Sequence, residues 1–221
     1  MAPDGPNPFE SPMFPLEAAL LPFEDLPLRI FEPRYAALVR DCMRSDDPRF
    51  GVVLISRGRE VGGGDARCDV GTIANIDQCV DQGAGRYQLR CRTGERIRVC
   101  DWLPDDPYPR AMVQLWADEP GDPVTQSQFL AVEDRIVALF ERIAEARGVR
   151  LPDRDVLLGY DNPLVRDAEA GDRLYALASR VPMGPSDRYS VLAAPSAADR
   201  FAALSEALES VAAMVEFELS N

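Results

Sequence analysis

The sequence predicts an α+β protein: a mostly antiparallel β domain with one inserted helix, followed by a C-terminal α-helical bundle. Three observations lead there. Between residues 26 and 117 the apolar residues alternate with polar ones or form short continuous runs, as strands require. Beyond Thr125 the apolar period lengthens to that of helices. Between the two lies Glu119-Pro120-Gly121-Asp122-Pro123, a concentration of turn-forming residues that marks a boundary. The expected organisation is a flexible tail over 1–12, a β-rich domain over 13–118 and a helical subdomain over 122–221.

Taken in order, residues 1–12 hold four prolines and few apolar groups, too little to build a packed element. Met13–Leu16 and Ala19–Pro22 are short apolar runs broken by prolines. Leu26, Leu28 and Ile30 alternate with Pro27 and Arg29, the pattern of a half-buried strand. Pro33 fixes φ at a helical value and suits the first turn of a helix, where its missing N–H costs nothing. Tyr35, Leu38, Val39, Cys42 and Met43 follow at helical spacing, so a strand runs through Phe31-Glu32 into a helix of about 33–44. Phe50-Gly51-Val52-Val53-Leu54-Ile55 is a continuous apolar run, suited to a strand covered on both sides. A loop over 57–69 contains Gly62-Gly63-Gly64, which with Arg59 and Arg67 could hold a phosphate, although the strand and helix context of a phosphate-binding loop is lacking.

Val70, Ile73 and Ile76 form the next strand, with an irregularity expected near Gly71. Gly83-Ala84-Gly85 is a turn. Along 86–91, Tyr87, Leu89 and Cys91 share one face and Arg86, Gln88 and Arg90 the other. Thr93-Gly94 reads as a bulge, after which Ile97 and Val99 resume the apolar face and Arg96 and Arg98 point outward. Ala111–Ala117 is the last strand. In the helical part, Thr125-x-x-Gln128 is a capping box for a helix reaching about Arg147 and ended by Gly148. Helices are also expected over 167–179 and 186–193, and a final one capped by Ser196 carries the stripe Phe201, Leu204, Leu208, Val211, Val215, Leu219.

The run MFPLEAALLPFEDLPLRIFEPRYAALV resembles the opening of the Lon substrate-binding (LON N-terminal) domain family. Members carry an FPL, an LLP-type run and a PL-x-IFE-x-RY segment, with Arg29 here where histidine is frequent. VPMGPSDRYSVLAAPSAADRFAALSEAL resembles the helical second half of the same region, so the likeness spans roughly 13–219. It implies a PUA-like pseudo-barrel followed by helices. It also implies recognition of unfolded or extended polypeptide, in an adaptor or holdase-like role, with a separate protease or ATPase as an expected partner. Because the ATPase and protease segments do not follow, the expectation is a stand-alone, cytoplasmic member of the family.

Composition excludes several chemistries. The 221 residues include no histidine, and all 24 basic residues are arginine. Schiff-base lysines, Ser–His and Cys–His pairs and histidine-containing zinc sites are therefore unavailable, so neither catalysis, a metal nor a cofactor is expected. The net charge of −13 argues against nucleic acid as the general partner. Five cysteines without a C-x-x-C and without a secretory signal read as reduced thiols. No apolar run is long enough to span a membrane.

Two constellations remain. At the strand-to-helix corner, Arg29, Phe31, Glu32 and Arg34 either lock the corner or line a groove for extended polypeptide, with Trp102 and Tyr108 as apolar contributors to that groove. In the hairpin 86–98, Arg86, Arg90, Arg92, Arg96 and Arg98 face a single acid, Glu95. This local excess of positive charge suits RNA or another anionic ligand, although solvent-facing strand positions are polar in any case.

Overall fold

The computed structural model describes residues 7–57 and 66–220; the glycine triplet 62–64 and Arg59 lie outside them. Two compact units meet in sequence between Ala117 and Asp118. The first contains strands β1 (Phe9–Leu16), β2 (Asp25–Ile30), β3 (Arg49–Arg57), β4 (Ala66–Gly83), β5 (Arg86–Leu103) and β6 (Arg110–Leu115), with helix α1 (Pro33–Cys42) after β2. The second holds α2 (Gln126–Arg147), α3 (Arg154–Leu158), α4 (Pro163–Arg166), α5 (Ala170–Arg180), α6 (Pro185–Ala193) and α7 (Ala197–Leu219).

The strands form one mixed sheet in the order β2-β5-β4-β3-β1-β6, with β5 also pairing β6. All pairs are antiparallel except β1 with β3, so it is not a clean antiparallel barrel. β5 is long enough to be shared: its first part pairs β2 and its last part pairs β6. The expected tail 1–12 requires correction. β1 begins at Phe9, because Phe9 to Pro12 pair with β6 and Glu10 meets Arg110 at 3.0 Å.

The continuous apolar run at β3 serves two cores. Phe50 and Val52 pack with Phe14, Ile30, Tyr35, Leu38, Leu89 and Cys91 beneath α1. Val53 packs on the other side with Met13, Ile73, Ile97, Val99, Ala111 and Val113. β3 and β4 approach closely at Gly71, where a Cβ would overlap the Val52 carbonyl oxygen of β3. The expected bulge lies where Gly94 and Glu95 intervene between the Ala74–Thr93 and Thr72–Arg96 pairs.

In the helical unit, the capping box at Thr125 and Gln128 is formed, and Gly148 closes α2 in the left-handed conformation. α3 and α4 are too short to leave a periodic signal, which is why the sequence reading passes over them. Two buried charges hold this unit. Glu133 on α2 accepts from Tyr160 Oη at 2.5 Å and from Arg173 at 2.6 Å. Arg200 on α7, fully buried, donates both terminal nitrogens to Asp118, and its guanidinium stacks 3.8 Å from the Tyr175 ring. A Cβ at Gly171 would overlap this pair, so glycine leaves room for it.

Cysteine positions give a direct check. Cys42 and Cys91 lie in the core beneath α1, and burial pushes both thiols up to about 12. Cys100 is exposed. The thiolate is the reactive form, so iodoacetamide at pH 8 is expected to label Cys100 within minutes and to spare Cys42 and Cys91 until the protein unfolds. Peptide mass mapping reads the order; labelling of Cys91 as fast as Cys100 would contradict this packing.

Candidate polypeptide-binding strip

β2 sits at the end of the strand order, with β5 as its neighbour. Asp25, Pro27 and Arg29 alternate outward while Leu26 and Ile30 enter the core. Pro27 lacks an N–H, a feature tolerated at sheet edges and protective against uncontrolled strand pairing.

Each end of this strand carries an exposed phenylalanine. Phe31 follows β2 and is 62% exposed; Phe23 precedes it and is 49% exposed. Phe23 has φ +69°, in the left-handed region that bulky side chains avoid. The turn holds it there through buried Thr93. The Thr93 hydroxyl donates to the Leu21 carbonyl at 2.6 Å and accepts from the Glu24 N–H at 2.8 Å. The Glu24 carboxylate accepts from the Leu21 N–H at 2.8 Å, and the Phe23 N–H reaches the Thr93 carbonyl at 2.9 Å. A turn so tightly stitched presents an apolar ring to solvent at a backbone cost of order 1–3 kcal/mol. Between the two phenylalanines the six residues of β2 run about 20 Å at strand rise, a length matching an extended segment of about six residues.

The other predicted residues separate. Glu32 is the N-cap position of α1; its carboxylate meets Arg34 at 3.1 Å, and the Arg34 guanidinium stacks 4.5 Å from Tyr35. That pair locks the corner, while Arg29 and Phe31 stay open to solvent. Tyr108 was expected in the groove but is a core residue. It is 7% exposed, packs beneath α1 and donates to Asp41 at 2.9 Å, and burial first and then this bond push its phenol up to about 12. Trp102 lies at the far end of β5, half-buried against the second core under the Arg67 guanidinium, which is itself paired to Asp105. Neither Trp102 nor Tyr108 therefore joins the strip.

The arginine hairpin also divides. Arg86, Arg90 and Arg92 are exposed. Arg96 is 5% exposed and donates to the Trp116 and Ala117 carbonyls at 3.0 and 3.3 Å. Arg96 and Arg98 both stack on the Trp116 ring, at 3.9 and 3.7 Å. The alternation places Arg96 away from the inner core, as expected, but the segment after β6 folds over it. The buried Arg96 guanidinium is thus withdrawn from any anion site, Arg98 is exposed but stacked on Trp116, and Tyr87 packs against the core instead of offering a stacking ring. Val80, half-exposed on β4, is a residue of this region that periodicity does not single out as a site, whereas Phe23, in the LLP-F turn, is legible in the sequence as a contributor to an exposed apolar patch.

Comparison with known proteins agrees with this architecture. The model of the ATP-dependent protease La (LON) substrate-binding domain matches residues 10–210. Lon protease 2 of Myxococcus xanthus is 32% identical over 124 residues, which is 55% of this chain and 14% of that protein. Lon protease of Anaeromyxobacter dehalogenans (strain 2CP-C) is 29% identical over 109 residues, 48% of this chain and 13% of that protein. The chain therefore spans a small part of the length of these curated relatives. Among solved structures, a Lon N-terminal domain protein from Xanthomonas campestris superposes with a TM-score of 0.64 at 25% identity, covering 90% of this chain and 98% of that one. The N-terminal domain of Mycobacterium avium complex Lon protease shares the fold at 16% identity, with a TM-score of 0.50 over 96% of this chain and 99% of that one. With matched residues running through both units, the chain belongs to the ATP-dependent protease La (LON) substrate-binding domain family.

Proposed function

We propose that this chain is a non-catalytic module that recognises extended polypeptide along β2, in an adaptor or holdase-like role that hands clients to a partner protease or ATPase. The observation that carries the reading is the pair of exposed phenylalanines at the two ends of an edge strand, one of them held in a costly backbone conformation. Exposed apolar groups so placed have no role in either core, and they offer what an unfolded chain offers in return. The family's description as a substrate-binding domain supports the same reading. The return of β5 to β6, which joins β5-β4-β3-β1-β6 into a ring of paired strands, supports describing the sheet as a PUA-like pseudo-barrel.

Fluorescence anisotropy of a labelled, permanently unfolded polypeptide tests this. Saturable binding is expected in the micromolar range and should survive moderate salt. Burying one phenylalanine side chain contributes about 1.5–3 kcal/mol, so Phe31→Ser should weaken binding about 10-fold or more. Phe23→Asn should weaken it similarly while leaving stability equal or higher, since asparagine tolerates the left-handed backbone. Absence of binding to any unfolded chain at about 100 μM would overturn the proposal.

A further inference from the structure

The outward face of β2, β5 and β4 has a composition unlike the rest of the molecule. Register places Asp25, Pro27 and Arg29 of β2 opposite Arg92, Arg90 and Gln88 of β5. On the other side of β5, Arg90 and Gln88 face Gln78 and Val80 of β4. All these side chains are exposed, as is Arg86 at the hairpin end. Arg29 is directly across from Gln88, so Arg86 and Arg90 are its diagonal neighbours, at the 7–8 Å typical of that relation. Among the described residues, Arg29, Arg86, Arg90 and Arg92 make no ion pair.

Acids are plentiful, 37 carboxylates against 24 arginines, and Arg34, Arg44, Arg67, Arg110, Arg142 and Arg173 each have one in contact. Arg40, Arg147 and Arg150 also make no ion pair among the described residues, but Arg29, Arg86, Arg90 and Arg92 differ in sharing one sheet face. The acids nearby do not neutralise the cluster. Asp25 lies opposite Arg92 without closing an ion pair. Asp81 of β4 pairs in register with Tyr87, off the arginine face, and accepts from the Gly83 N–H at 2.7 Å; Asp77 lies in the irregularity between Ile76 and Gln78 and makes no ion pair among the described residues.

We infer that this face selects acidic segments of extended polypeptide, with Arg29, Arg86, Arg90 and Arg92 as the specificity-determining residues. The inference rests on the proposed polypeptide-binding function and names the class of segment bound. Charge complementarity carries it. Arg90 and Arg92, two positions apart on β5, stand about 6.6–6.8 Å apart, the spacing of carboxylates at every second residue of an extended peptide, with Arg86 beyond Gln88 on the same face. Each pair can be bidentate. Val80, half-exposed between them, and Phe31 at the strand end supply the apolar contacts that an acidic segment flanked by apolar residues would use. Nucleic acid is the weaker occupant: no aromatic ring is interleaved with the arginines on this face of β2, β5 and β4, the exposed phenylalanines lying only beyond the ends of β2, and the chain outside this face is strongly acidic.

Three labelled probes of equal length distinguish the possibilities: a Glu-rich unfolded peptide, an uncharged apolar peptide and a single-stranded RNA. Anisotropy is read at about 50 and 300 mM salt. The acidic peptide is expected to bind at least 10-fold more tightly than the neutral one at low salt, with the advantage shrinking at high salt. The double variant Arg90→Glu/Arg92→Glu should abolish that advantage while neutral-peptide binding stays within about two-fold; Arg90→Gln/Arg92→Gln gives an intermediate loss. Circular dichroism and melting confirm that these surface variants fold. Equal binding of acidic and neutral peptides overturns the inference and leaves the polypeptide-binding function standing. Binding of no peptide overturns both. RNA binding as tight as the acidic peptide, lost in the same variants, overturns the choice of polypeptide and makes the face a general polyanion site.

Discussion

Gly71→Ala is expected to destabilise the β unit by about 3 kcal/mol or more, at the upper end of what overpacking causes. The reason is that the neighbour in the way is backbone. A Cβ at Gly71 would overlap the Val52 carbonyl oxygen and come within 2.8 Å of Val53 Cγ1. Gly71 pairs with Val53, just before β3 and β4 lose regular register, and both strands are sealed there between two cores. Neither can move away without opening apolar surface. A long side chain could rotate aside, as Met13 can for a Cβ at Gly51, but a ladder carbonyl cannot. Urea unfolding followed by near-UV circular dichroism of the tyrosines and tryptophans measures it, with the midpoint expected to fall by more than about 1 M. A Gly71→Ala protein with an unchanged midpoint would mean that β3 and β4 separate more readily than this packing allows.

The second large effect belongs to the helical unit. Glu133→Ala removes the shared acceptor of Tyr160 and Arg173, at 2.5 and 2.6 Å, with Arg154 at 3.5 Å on its other oxygen. Deleting one member of a buried ion pair leaves its partner's charge without compensation and typically costs 3–5 kcal/mol. Arg173 is also stacked 4.3 Å from Phe129 and 5.0 Å from Tyr160, so it cannot leave for solvent without unpacking both rings. Guanidinium unfolding monitored by far-UV circular dichroism reads the loss, and a variant within about 0.5 kcal/mol of the parent would sink the assignment. Glu133→Leu tells desolvation from pairing: if it is nearly as harmful as alanine, the stranded Arg173 is the cause, since leucine refills the volume. A pH consequence follows. Burial, then the bond to Glu133, raises the Tyr160 phenol from 10 to about 12. The fold thus favours the protonated phenol, and its contribution is complete below pH 10 and lost as pH rises towards 12. The parent should weaken over that window more steeply than Tyr160→Phe.

Much of this was legible in the residues. Pro33 at the first turn of α1, the Thr125–Gln128 capping box, Gly148 and the clean alternation through Tyr87, Leu89 and Cys91 are local signals, and each of these elements forms where its signal lies. What escaped depends on distant chain segments. Phe9–Pro12 look like a proline-rich tail until β6 is there to pair with them. Arg96 reads as an outward arginine because nothing near it in sequence announces that Trp116 and Ala117 will cover it. Tyr108 follows an acidic loop and looks accessible, yet Asp41 of α1 and the core beneath it take the ring in. The buried charges did leave a trace. Glu133 lies four residues after Phe129, and Arg200 four before Leu204, so each interrupts an apolar stripe at a position where a charge requires a partner. For the strip itself, the phenylalanines and Arg29 are visible in the sequence. Their joining with Arg90 on one face is set by the register of β2 on β5.

The seat of β1 has a consequence for synthesis. Its parallel neighbour β3 is available early, but its other neighbour, β6, ends at Leu115, and Phe9 pairs with Val113. At 5–20 residues per second, a ribosome needs about 5–20 s to make that span, and more to clear it from the exit tunnel. During that interval the first strand has one of its two edges open, and β5 lacks the partner for its last part. A nascent chain of this protein is therefore itself an unfolded polypeptide with open strand edges for many seconds, and only the arrival of 110–115 ends that exposure. Sheets whose ends meet over such distances close late and slowly, so the β unit assembles as one event once 110–115 has emerged instead of growing strand by strand.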